Sequence, residues 1–192
     1  CGDAGLWHHG QRAEEHMLLL PPILTKDSAY ALADGIIRLR EETGLEVLPE
    51  NPPGHLFLGP LHLLDFFAIV LERADTGMLL DAAHLTIYQD FKGLPVTSGL
   101  DGFPIEKIIE LHMAGGSKKT FQGLSYIEDD HSPLILNETW EIFNYIGPKL
   151  TELRAVIFEC ERNPLKRCKQ EMLRLRKALD LQLSSDSVWH KF

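Results

Sequence analysis

The chain has 192 residues, enough for one good core but short of the roughly 250 of a complete eightfold (β/α) barrel. Its 28 acidic against 19 basic residues give a formal net charge of -9, which argues against a phosphate-backbone binder, because such proteins concentrate positive charge. Cys1, Cys160 and Cys168 have no CxxC spacing, so neither a disulfide framework nor a thiolate zinc knuckle is supported. No apolar run approaches the 18 or so residues of a membrane span. The expectation is a reducing, cytoplasmic setting with no nucleic-acid and no membrane partner.

Residues 1–26, with scattered Gly, His, Gln and Pro, read as a leading loop that ends near Pro21-Pro22; His8, His9 and His16 lie in it. From Asp27 or Ser28, both suitable caps, Leu32, Ile36, Ile37 and Leu39 recur at helical spacing until Gly44 stops the helix. Residues 46–50 then form a short strand ending in Glu50. Residues 61–74 read as a second, mostly covered helix, and Gly77 sits where a left-handed C-terminal residue is expected. A strand to Asp81, a Gly- and Pro-rich loop over residues 90–104 and a strand to His112 follow. Pro133 fits the first turn of a third helix, with Leu136, Trp140 and Phe143 on one face. The strand to Glu159 precedes a last helix whose apolar face is Cys168, Met172, Leu175 and Leu179.

Alternation of strand and helix is the mark of βα units around a parallel sheet, so the fold class is α/β, a TIM-like (β/α) barrel. Four strands leave two sheet edges unpaired. The chain therefore reads as one partial domain, residues 1–192, supplying about half of a barrel, with the remainder in a missing segment or another chain.

All four strands end in a metal-ligand type of residue, and in a parallel barrel those ends meet on one face. Glu50 is either a surface-loop acid or a donor stiffened by Pro52 and Pro53. Asp81, after a fully apolar strand, costs several kcal/mol to bury unpaired, so it is either a helix cap or a cation ligand. His84, three residues on, is a weaker candidate. His112 is a core histidine or a ligand, with Glu110 on its own strand face and two glycines following at 115 and 116. Asp129 and His131 either belong to an acidic helix start or point together into the site, and Glu159 and Glu161 repeat that two-apart spacing. The surplus of donors over the needs of one ion suggests two or three ions, and carboxylates with imidazoles suit iron or manganese.

Taken together, Glu50-Asn51-Pro52, Leu79-Leu80-Asp81, Glu110-Leu111-His112-Met113-Ala114-Gly115, Asp129-Asp130-His131 and Glu159-Cys160-Glu161-Arg162-Asn163-Pro164 resemble the multinuclear non-haem iron-dependent oxidases, the family of the methanobactin biosynthesis oxidase. The resemblance implies a TIM-like barrel holding two or three irons, with Glu50, Asp81, His112, Asp129, His131, Glu159 and Glu161 as metal ligands. It implies oxidation of cysteine or another side chain of a ribosomally made peptide with dioxygen. It also implies a peptide substrate, a precursor-recognition protein as possible partner, and a possible homo-oligomer. Three departures stand out: Ala83 and His84 where the family has asparagines, Glu161 where it has aspartate, and no counterpart of the histidine ligands from the family's first half. The chain thus resembles strands five to eight. A xylose-isomerase-like sugar isomerase or hydrolase using manganese or zinc is the competing enzyme class, and a non-catalytic barrel remnant that binds peptide is the competing non-enzyme class.

Overall fold

The structure is a computed structural model that describes residues 2–4, 6–8 and 15–183, with side chains described at Ala4 and over residues 20–181. His9 and the side chains of His8 and His16 lie outside the described residues. In chain order the elements are β1 (Gly2–Asp3), β2 (Leu6–His8), β3 (Glu15–Leu20), α1 (Lys26–Thr43), β4 (Pro49–Glu50), α2 (Leu63–Ala74), β5 (Met78–Asp81), α3 (Ala82–Lys92), β6 (Ile108–Phe121), β7 (Leu124–Ser132), α4 (Asn137–Ile146), β8 (Ala155–Glu159) and α5 (Leu165–Leu183).

Strands β1, β4, β5, β6 and β8 lie side by side and run parallel, with helices between successive members, which makes the described part a TIM-like barrel portion. The leading segment, expected as loop, contributes β1 to this sheet and pairs β2 with β3 in a separate antiparallel ribbon. Register aligns Asp81 with His112 and Ala114 with Glu159, so strand alternation turns Asp81, Glu110, His112 and Glu159 to one face. Leu80, Leu111 and Met113 turn to the other and join the core.

Helix α2 contributes Leu63, Leu64, Phe66, Phe67, Val70 and Leu71 to that core, all buried. Each such side chain contributes about 1.5–3 kcal/mol relative to exposure. Helix α1 starts one turn before the expected caps: Thr25 is the cap, its hydroxyl accepting the Ser28 N–H at 3.3 Å, and Gly44 in the left-handed region ends it. On α2 the left-handed terminal residue is Asp75, not Gly77. Gly77 is needed for a different reason, because a Cβ there would stand 2.2 Å from the Ile109 side chain.

Three further elements differ from the sequence expectation. Residues 82–92 form α3, with Ala82 through Gln89 all buried. The acidic run before Pro133 is not a helix start; it belongs to β7, which folds back antiparallel on the far half of β6, and α4 begins only at Asn137. On α5 the inward residues are Cys168, Glu171 and Leu175, whereas Met172 is exposed. Glu171 is drawn inward because its carboxylate accepts the Trp140 indole N–H at 3.2 Å. Among the described residues no helix is long and apolar enough to cross a membrane.

Candidate metal centre

Asp81 ends β5 and caps α3 at once. One carboxylate oxygen, Oδ1, accepts the His84 backbone N–H at 2.8 Å, and the group is fully buried. The other, Oδ2, is buried without a hydrogen-bond partner. Both readings of Asp81, cap and inward-facing donor, are therefore present in one side chain. Its backbone is fixed by Asn51: the Asp81 N–H donates to the Asn51 side-chain oxygen at 2.8 Å, and the Asn51 amide donates back to the Asp81 carbonyl at 2.9 Å. This closed pair locks the end of β4 to the end of β5. Burial raises the Asp81 carboxyl to about 6, with His84 pulling the other way.

His112 lies within β6, flanked by β5 and β8. Its Nε2–H donates to Glu110 at 3.1 Å, which turns Nδ1 inward. That nitrogen is 3.3 Å from Glu159, 3.6 Å from Glu50 and 4.0 Å from Asp81, yet it is buried without a hydrogen bond. Burial opposes a charge on this ring, but Glu159, Glu110 and Asp81 outweigh it and push the imidazole up to about 9.

Asp129 and His131 come from β7, where pairing with β6 slips between Gly115 and Ser117. Such a bulge re-aims side chains. His131 takes a left-handed backbone with φ 49, a strained conformation for a non-glycine residue that persists only when the surroundings hold it. The holding contacts are an Asn163 amide on the His131 carbonyl at 2.6 Å and Asp130 bonded to both Ser117 and the Ser132 N–H. Gly115 makes room for the bulge, since a Cβ there would meet the Ser132 and Leu134 carbonyls at 2.3 Å. His131 donates from Nδ1 to Glu161 at 2.8 Å, leaving Nε2 3.6 Å from Asp129 and 3.7 Å from Glu159. Burial again opposes its charge, and Glu161, Asp129 and Glu159 raise its pKa.

Glu50, His112, Asp129, His131 and Glu159 thus border one cavity of about 290 Å³, together with Pro53, His84 and Arg162, and Asp81 is buried behind that wall with Oδ2 4.0 Å from His112 Nδ1. Glu161 is not on that wall; it grips the outer nitrogen of His131 from the solvent side, 60% exposed. Glu159 divides its oxygens, Oε1 toward His112 and Oε2 toward His131. Its own pKa is lowered, since burial raises it but His112, His131 and His84 outweigh burial; Asp129 is lowered in the same manner, chiefly by His84. Single donor atoms of Asp81, His112 and Glu159 lie within 4.8 Å of one another, and so do those of Glu50, Asp81 and His84.

Sequence reasoning missed one participant and underrated two. Asn51 is fully buried, and its role as strand clamp needs two strands side by side to be visible. Glu110 was placed on the correct face without its role on the His112 ring. His84 was ranked low, but its ring lines the cavity. Cys160 is half-buried just beyond β8, and its thiol is pushed up to about 11 by burial and by Cys168, so it is not a thiolate at neutral pH.

Fold and rim together define a class: a TIM-like barrel whose strand-end acids and imidazoles can hold metal ions. The family model described as RiPP precursor modification enzyme MbnB/TglH/ChrH matches residues 6–180, and the chain belongs to that family of enzymes modifying ribosomally made peptides. Relatives named only as UPF0276 proteins are similar. That of Psychromonas ingrahamii is 25% identical over 142 residues, 72% of this chain and 50% of the relative. That of a Caulobacter species is 28% identical over 139 residues, covering 69% and 50%, and that of an Anaeromyxobacter species is 27% identical over 137 residues, covering 70% and 46%. The chain spans about half the length of the curated relatives it matches.

Proposed function

We propose that this chain is the metal-holding part of a multinuclear non-haem iron oxidase, which uses dioxygen to modify a side chain, cysteine foremost, of a ribosomally made peptide. One observation carries the metal reading: three buried polar atoms, Asp81 Oδ2, His112 Nδ1 and Asp129 Oδ1, lack hydrogen bonds; His112 and Asp129 border the cavity, and Asp81 Oδ2 lies just behind it, 3.5 Å from the His84 ring and 4.0 Å from that of His112. Buried polar atoms without hydrogen-bond partners are costly, so a group that engages all of them at once is expected.

The donors suit iron. They are carboxylate oxygens and imidazole nitrogens, with no sulfur on the cavity wall, a set that also accommodates manganese. Glu50, Asp81, His112 and Glu159 would hold one ion, and Asp129, His131 and the second oxygen of Glu159 another. Glu110 and Glu161 fix which nitrogen of His112 and His131 faces inward, the part that carboxylates beside metal-bound histidines usually play. Iron held there supplies one-electron chemistry toward dioxygen. Burial of Asp81 and His112 excludes water from the inner side, while the mouth near Pro53 and Arg162 leaves an entry for a peptide side chain. Each imidazole must release its inner proton when an ion takes its place. Delivery of the substrate by a precursor-recognition protein and pairing of two chains belong to the same reading.

Anaerobic loading with ferrous iron, followed by iron analysis and Mössbauer spectroscopy, tests it. Two or three mutually coupled ions per chain are expected; one isolated ion or none overturns it. Co-production with a cysteine-bearing precursor peptide should give a dioxygen-dependent change in peptide mass.

A further inference from the structure

Three imidazoles border the cavity, and all three are built alike. His112 donates its outer N–H to Glu110 and His131 donates its outer N–H to Glu161. His84 does the same with a backbone partner: Nδ1 sits 2.8 Å from the Asn51 carbonyl, which can only accept, so Nδ1 carries the hydrogen. Its Nε2 consequently faces inward, 3.2 Å from Asp129 Oδ2 and 3.5 Å from Asp81 Oδ2. The ring is 5% exposed, so neither bulk water nor a loose rotamer accounts for that pose.

We propose that His84 is a metal ligand of this chain, binding through Nε2 together with Asp81 and Glu50, next to the group formed by Asp81, His112 and Glu159. The assignment rests on the metal reading above and extends it to a residue outside the seven expected donors. Three independent features support it. The ring is oriented by a main-chain acceptor that the Asn51 clamp holds rigid, the most fixed of the three outer partners. Donor atoms of Glu50, Asp81 and His84 lie within 4.8 Å of one another, close enough for one ion. The two carboxylates that flank Nε2 each keep one oxygen buried without a hydrogen bond, Asp81 Oδ2 and Asp129 Oδ1, so the ring alone does not satisfy them.

The competing account is that His84 is a fixed internal cation that pairs with Asp81 and Asp129 and never meets a metal. Anaerobic titration with Fe²⁺ and with Co²⁺ separates the two in the wild type and in His84→Asn. Ligation predicts at least about a tenfold loss of affinity for one ion in the variant, since even outer partners of metal ligands cost about 10- to 100-fold. Unchanged affinity and stoichiometry, with only a lower thermal midpoint, overturn the assignment and leave the proposed function standing. A wild type that binds no ion overturns both. Should His84→Asn fail to fold, proton spectra of the Co²⁺-loaded wild type decide: the His84 Nδ1–H, held by Asn51, is expected far outside the diamagnetic range, and its appearance inside that range rejects ligation.

Discussion

The inner and outer sides of the cavity are held by different means. On the inner side, Asn51, Asp81 and His84 are buried and bound to main-chain groups. On the outer side, Asp129, His131 and Glu161 sit on a bulged hairpin and a loop, partly exposed, and are tied through side chains, Asp129 to His84 and His131 to Glu161. Donors fixed by backbone bonds are inseparable from the fold. Donors fixed by side-chain pairs can be altered with the fold left intact.

The largest contrast should come from Asp81→Ala. It removes a donor shared by two ligand groups as well as the α3 cap, so ferrous binding should fall by more than about 100-fold, and a further loss of about 1 kcal/mol of stability is expected. Iron analysis and denaturant unfolding read the two effects. Asn51→Ala comes next. Two buried main-chain groups of Asp81 lose their partners, each costing about 1–3 kcal/mol, and a variant within 0.5 kcal/mol of wild type, roughly the scatter of ordinary surface changes, would show that the clamp is not structural. Glu161→Gln should invert this pattern, with stability unchanged and affinity for the outer ion reduced about tenfold as His131 loses its orienting charge. Equal losses of stability in Asn51→Ala and Glu161→Gln would erase the distinction.

A further effect is graded with pH. In the metal-free chain His84 is raised to about 10 and His112 to about 9, against an ordinary 6.5, because neighbouring carboxylates outweigh burial. A raised folded-state pKa means the proton is held more tightly in the folded chain. That stabilisation is complete below about 6.5 and is lost as pH climbs through 9 to 10. Asp81, raised to about 6, acts in a lower window: its contribution is present below 3.8 and gone above 6. The thermal midpoint of metal-free wild type, relative to His84→Asn at each pH, should therefore decline between pH 7 and 10; a flat difference contradicts the electrostatic account.

The sequence made the inner strands readable and the outer hairpin unreadable, for physical reasons. An apolar run closed by an acid, as in Leu79-Leu80-Asp81, has few interpretations other than a buried strand with a polar end, and the same holds for the run to Glu159. Helix α3 left no amphipathic signal because residues Ala82 to Gln89 are covered on every side, so there was no polar face for a period to mark. Residues 128–131 mimic a helix start, since acids before a proline favour that end of a helix; their pairing with β6 is a long-range contact that local pattern does not encode. Met172 and Glu171 exchanged roles because a tryptophan two elements away offers a hydrogen bond to the acid. Asn51 and His84 are understood only once β4 lies against β5.

Asp81 carries an obligation that few side chains share. One of its oxygens starts a helix and the other is buried against the His84 and His112 rings, so the helix and the site are tethered by the fixed geometry of one carboxylate. A longer acid at this position would displace the first turn of α3 to keep its inner oxygen in place, or forfeit that oxygen to keep the turn. Descent with modification can retouch the solvent side of the cavity one residue at a time; here, any successful exchange must redesign a secondary-structure boundary in the same step.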